Sequence, residues 1–168
     1  MAHPRRLPGV SYTGLAAYFV TTCTIARRKV FHDIDFGREA AALLIAHSTR
    51  CGFAVSAYCL MPDHAHLLVT AQTHESPLRD LVRNWKQATG YRWHVRRGGR
   101  LWQAGYFERV LRADESDLSV SRYIIENPVR AGLVGSAEDY PLTGSSCYSV
   151  AQIADAARID CGRHKGPR

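Results

Sequence analysis

The chain lacks what a secreted, membrane-embedded or cysteine-stapled protein would need. No stretch approaches the roughly 18 consecutive apolar residues of a membrane span. The opening MAHPRRLPGV carries charge with no apolar run behind it before Gly14, so neither a spanning helix nor a signal peptide is expected. Cysteine is sparse: five residues, at 23, 51, 59, 147 and 161, are odd in number and share no close spacing. That pattern excludes a disulfide framework and argues against a cysteine-type zinc site, and a reducing cytoplasm is the expected location. Internal repeats and low-complexity linkers are also missing. Acids are in deficit, 15 Asp and Glu against 22 Lys and Arg, and nearly all of the excess is Arg, whose planar guanidinium suits phosphate oxygens. A polyanionic partner is therefore favoured over an acidic small molecule.

What is present suffices for one folded unit. With 168 residues, 46% of them hydrophobic, the chain can bury a single core. Residues 1–140 read as one domain and 141–168 as an extension, Ser- and Gly-rich at first and then polar and basic. Ala17 to Thr24 (AYFVTTCT) has the aromatic and β-branched content of a strand, and Asp35 to Thr49 has Ala, Leu and Ile at helical spacing with Asp35 as its cap. Phe53 to Leu60 and His64 to Thr70 read as two strands joined by a tight turn at Met61-Pro62-Asp63. Ser76-Pro77 predicts a helix from about Leu78 to about Val95, with Ser76 as cap and Pro77 at the first helical position. A fourth strand follows around Tyr106 to Leu111, then a last helix from Asp114 to Ile125 stopped by Asn127-Pro128. The order β-α-β-β-α-β-α predicts an α+β fold of the ferredoxin-like, split βαβ kind. It has a four-stranded antiparallel sheet with helices on one face, plus an appended helix carrying a tyrosine.

Three groups of residues could carry chemistry. His64-Ala65-His66 opens a strand, where alternation points both imidazoles the same way, about 6.6 to 7 Å apart along the backbone. Tyr123 and Asn127 lie four apart on a helix, so a phenol and an amide oxygen would project together. Between Arg79 and Arg100 seven basic residues (Arg79, Arg83, Lys86, Arg92, Arg96, Arg97 and Arg100) meet one acid, Asp80, with Trp85, Tyr91, Trp93 and Trp102 interleaved. Cations beside stacking aromatics are how single-stranded nucleic acid is commonly held. At about 100° per residue Arg83 and Lys86 lie within about 60° of each other and Arg92 about 180° from Arg83. Taken singly, each group has a plain structural explanation: polar strand residues, a core tyrosine before a helix-stopping Asn-Pro, and a solvated helix face with Trp85 in the core. Tyr106, in a strand, is a rival nucleophile.

In combination the stretches RRLPGVSY, YFVTTCTIARRKVF, MPDHAHLLV, LWQAGYFERVLR and RYIIENPVRAGLV, spread from Arg5 to Val134, resemble the REP-associated tyrosine transposases, a branch of the HUH single-tyrosine transposases. The resemblance implies the same split βαβ fold. It makes His64 and His66 a metal-binding pair, Tyr123 the catalytic tyrosine, and Asn127 the counterpart of a polar third ligand. It also implies a divalent cofactor, Mg2+ or Mn2+, and cleavage and rejoining of single-stranded or hairpin DNA through a 5′-phosphotyrosine. Arg5, Arg6, Arg79, Arg83, Lys86, Arg92, Arg96, Arg97 and Trp102 are the expected DNA contacts, with Arg27 and Arg28 in reserve, and the chain is expected to be a monomer or homodimer. A hairpin-binding protein without catalysis and a phosphoesterase of small nucleotides are the alternatives. Two departures stand out: Ala65 is small for its position, and Tyr140 to Ser146 lacks the Trp of the family's YPWSS-type segment.

Overall fold

The structure is a computed structural model that describes residues 16–112 and 115–155. Five strands, β1 (Ala17–Cys23), β2 (Phe53–Met61), β3 (His64–Ala71), β4 (Phe107–Val110) and β5 (Thr143–Gly144), form one sheet in the order β4-β1-β3-β2-β5. Every pairing is antiparallel. The first four, β4-β1-β3-β2, have the split βαβ order predicted from the pattern. The fifth is a two-residue addition beside β2, so the segment after Tyr140 joins the same body. Leu142 is fully buried against Gly37, where a Cβ would meet it at 2.5 Å, and its carbonyl accepts from Leu60.

Helices α1 (Ile34–Arg50) and α2 (Leu78–Arg97) cover one face of the sheet. Alternation delivers Tyr18, Val20, Ala65, Leu67 and Val69 to that face, each at most 1% exposed. A register shift between Val55 and Ala57 inserts one extra residue into β2 and so decides which of its side chains enter the core. Between sheet and helices Phe31, Phe36, Trp85, Trp93 and Trp102 make a continuous aromatic cluster, and the Trp85 indole donates to the Ala40 carbonyl at 2.9 Å. Large aromatics in such contacts dominate core energetics. The small Ala65 is fully buried in this layer.

Helix α3 (Asp117–Ile125) lies on the opposite face, against β2 and β3. It buries Ser121, Ile124 and Ile125, and its Asp117 accepts a hydrogen bond from Thr70. Several element ends differ from expectation for identifiable reasons. Asp33, not Asp35, caps α1, because its carboxylate reaches the Phe36 amide at 3.1 Å. Pro77 itself is the cap position of α2, while the Ser76 hydroxyl is spent on the Gly52 carbonyl. Asn127-Pro128 does not end the helical path. Proline suits a first turn, and a further turn, α4 (Asn127–Arg130), starts there after a break at Glu126.

Candidate active site

The end of the sheet where β1 stops and β3 begins is built by tethering. Beyond β1, Thr24 binds the Asp63 carbonyl through both its amide, at 3.0 Å, and its hydroxyl, at 2.9 Å, and the Phe31 amide binds the Pro62 carbonyl at 3.0 Å. The two-residue turn before His64 is thereby fixed to the exit of β1. Here Ala26 and Arg27 adopt φ of 50° and 54°, a left-handed conformation costly for non-glycine residues and concentrated at functional sites. The bend carries the Arg27 guanidinium to the Asp63 carboxylate at 3.2 Å and to the Cys23 sulfur at 2.9 Å.

Asp63 in turn engages His64, its Oδ1 lying 2.6 Å from Nδ1. His66 Nδ1 lies 2.9 Å from the Thr21 hydroxyl across the β1–β3 ladder, and the His66 ring stacks on Phe19 with centroids 5.5 Å apart. Both outer nitrogens therefore have partners, and the two Nε2 atoms converge to 3.2 Å. In the tautomers whose Nδ1 protons are donated to the Asp63 carboxylate and the Thr21 hydroxyl, each Nε2 presents a lone pair. Burial, followed by the charges of His64, Arg130 and Arg27, lowers the His66 pKa to about 4, so this imidazole is neutral at physiological pH, the form that ligates metal.

Tyr123 stands over the same face. It is 52% exposed on α3 and shares a shallow hollow with Phe19, Arg109, Ser119 and Val120. Sequence reasoning assigned no role to Arg130, whose guanidinium sits 4.2 Å from the Tyr123 ring centroid and donates to the Tyr123 carbonyl. Asn127 lies one turn below, its amide nitrogen donating to the carbonyls of Tyr123 at 3.0 Å and Ile124 at 3.2 Å. The phenol and the amide oxygen therefore do not simply project side by side, because the helix breaks between them and the amide turns back to cap α3.

A family model described as IS200-like transposase matches residues 13–127, a span containing both histidines, Tyr123 and Asn127. The chain belongs to the IS200-like transposases. It is 29% identical to a Haemophilus influenzae protein described as a putative REP-associated tyrosine transposase, in an alignment 142 positions long that covers 77% of this chain and 80% of that one. Its fold matches the solved structure of a REP-associated tyrosine transposase bound to a REP hairpin, with a TM-score of 0.68 and 21% identity over 99% of this chain and 89% of that one. The resemblance drawn from the five sequence stretches is thus upheld.

The basic residues of this transposase fall into two groups that sequence alone had pooled. Arg92, Arg96 and Arg97 face α1, pairing with Glu39 at 3.3 Å and with Asp33 at 3.2 to 3.8 Å. Arg79, Arg83 and Arg100 instead line an open groove between α2 and residues 99–106, alongside Gln87, His94 and Tyr106. The opposite placement of Arg83 and Arg92 follows the helical angle between them. Two expected DNA contacts have structural roles in this arrangement. Trp102 is 6% exposed, packed at a tilt against Phe31 and Trp85 with its indole donating to Thr89 at 2.8 Å, which leaves no open ring face for a base. Lys86 donates to the carbonyls of Gln103 and Gly105, and burial lowers its pKa to about 8. Arg5 and Arg6 lie outside the described residues. Among the described residues no helix is long and apolar enough to cross a membrane.

Proposed function

We propose that this transposase cleaves and rejoins single-stranded DNA at hairpin-forming repeats through a 5′-phosphotyrosine on Tyr123, assisted by a divalent ion on His64 and His66. The observation that carries the reading is the convergence of the two Nε2 atoms at 3.2 Å with both Nδ1 atoms engaged. Two adjacent ligands on one ion, with bonds of about 2.0 to 2.1 Å, have a similar separation. Both Nδ1 atoms are partnered on their outer sides, which leaves the two Nε2 atoms turned toward one point. Among the described residues no third His, Cys, Asp or Glu joins them. Asn127 offers its side-chain oxygen, its nitrogen being committed to α3. Mg2+ or Mn2+ bound there would supply Lewis-acid polarisation of a non-bridging phosphate oxygen.

The chain's own residues do the rest. The Tyr123 oxygen attacks phosphorus and the bond to the 3′-oxygen breaks, leaving a 5′-phosphotyrosine and a free 3′-hydroxyl. One phosphodiester replaces another, so rejoining needs no added energy source. A phenol of pKa about 10 is a weak nucleophile at neutral pH, and Tyr123 needs cationic surroundings to be effective. Arg79, Arg83 and Arg100 supply a track for the backbone along the groove, and the hairpin in the solved relative motivates the choice of substrate.

The test is to incubate the full chain with hairpin-bearing oligonucleotides and Mn2+, then recover any covalently attached DNA. Tyr123→Phe is expected to abolish the adduct while leaving binding within a few-fold, and a chelator to abolish cleavage alone. Binding without any adduct in the wild type would leave a hairpin-binding protein. An adduct that persists in Tyr123→Phe would move the nucleophile, with Tyr106 tested next.

A further inference from the structure

The guanidinium of Arg130 has an environment that its role as a helix-end residue does not account for. It covers the Tyr123 ring at 4.2 Å from the ring centroid. Arg130 therefore lies directly against the residue proposed as nucleophile. Other arginines around the site are spent on close ion pairs: Arg27 on Asp63 at 3.2 Å, Arg109 on Glu115 at 2.5 Å, and Arg122 on Glu126 at 2.7 Å. Among the described residues the ion pair of Arg130 is with the far oxygen of Glu126, at 3.8 Å, an acid already held more closely by Arg122. A guanidinium has five N–H donors in a planar fork matched to phosphate, and one of them goes to the Tyr123 carbonyl.

We propose that Arg130 clamps the phosphate attacked by Tyr123, taking a non-bridging oxygen beside the tyrosine ring; this rests on the tyrosine-nucleophile reading above. In the step concerned the bond from the Tyr123 oxygen to phosphorus forms as the bond from phosphorus to the 3′-oxygen breaks. The phenol proton passes to solvent and the 3′-oxygen takes up a proton to leave as a hydroxyl, with no oxidation or reduction. Negative charge grows on the non-bridging oxygens in the transition state, and a fixed guanidinium stabilises that charge without reorganisation. Had α3 continued without interruption, the helical angle of seven residues would still bring position 130 near position 123, but the capping amide of Asn127 would have no helix end to cap. The short α4 starts afresh at Asn127-Pro128 and presents Arg130 one turn on.

The experiment uses the full chain and the hairpin oligonucleotide on which the wild type forms its adduct. A second oligonucleotide carries an uncharged methylphosphonate at the mapped scissile linkage. Arg130→Ala is expected to slow adduct formation by about 10²- to 10³-fold on the phosphodiester, with binding changed only a few-fold, and Arg130→Lys to recover part of the rate. On the methylphosphonate, where there is no anionic oxygen to clamp, the deficit of Arg130→Ala should shrink to about ten-fold or less. A purely structural role would give the same deficit on both oligonucleotides, and that result overturns the clamp, as would a phosphodiester rate within about three-fold of the wild type. Should Arg130→Ala fail to fold, the same comparison made with Arg130→Lys decides the matter. No adduct with the wild-type chain on any hairpin would overturn the tyrosine reading itself, and the clamp with it.

Discussion

Replacing Asp63 by Asn changes one atom in the support of His64 and leaves the shape intact. In the native site one carboxylate oxygen lies 2.6 Å from His64 Nδ1 and the other 3.2 Å from the Arg27 guanidinium, so both oxygens accept. An amide has only one acceptor. If its oxygen faces His64, its NH2 group is pressed against the Arg27 donors. If it flips, its NH2 group meets Nδ1 and forces the imidazole proton onto Nε2, removing the lone pair that would bind metal. Either arrangement weakens ligation, and outer-shell partners of metal-bound histidines are typically worth about 10- to 100-fold in affinity, or about 1.4 to 2.7 kcal/mol. The metal-free fold should lose far less, under about 1 kcal/mol, because the Arg27 side chain of that ion pair is 53% exposed and well screened. Calorimetric titration with Mn2+, paired with thermal melts in chelator, separates the two effects. An Asp63→Asn protein with unchanged Mn2+ affinity would refute the assignment of His64 as a ligand supported through Nδ1. A large loss of metal-free stability would recast Asp63 as a fold residue.

The two groups of arginines on α2 should separate by salt. Arg83→Ala is expected to lower the log–log salt slope of single-strand or hairpin binding by about 0.7 to 0.9, because Arg83 lines the groove although it also pairs with Asp80 at 2.9 Å, whereas Arg92→Ala, removing a cation that faces α1 and Glu39, should leave it nearly unchanged; equal slopes for both variants and the wild type would rule the groove out. Lys86 predicts a pH effect on stability. Its folded pKa, lowered to about 8 by burial, lies below its unfolded value near 10.4, so between those values the unfolded chain binds the extra proton and stability rises with pH. The rise should be on the order of 1 to 3 kcal/mol and absent from Lys86→Met, as followed by denaturant melts from pH 7 to 10.5; a wild type and variant that track each other across that range would show Lys86 to be well solvated.

Local sequence determined most of the scaffold and the identity of the reacting groups. Alternation in AYFVTTC and HAHLLVTA, the 3.6-residue spacing of α1 and α2, and the tight turn before His64 are short-range signals, and they specify the split βαβ core directly. The same alternation places His64 and His66 on one face, and helical geometry sets Arg83 and Arg92 on opposite sides of α2. Tertiary structure decided what those groups touch. That Trp102 is core and Lys86 a clamp follows from the fold of residues 99–106 back against α2 and β1, which no periodicity records. The neutralisation of Arg92, Arg96 and Arg97 depends on Asp33 and Glu39, more than fifty residues away in the chain and adjacent only once α1 packs on α2. Likewise the supports of the histidines come from Thr21, Arg27 and Asp63, joined by the β1–β3 ladder and the left-handed bend after β1. The contact of Arg130 with Tyr123 requires that the chain resume a helical turn past Glu126, and Asn-Pro signals a break without saying whether the chain turns away or resumes. Electrostatic partnership is a property of through-space distance, and strand pairing and helix packing set that distance.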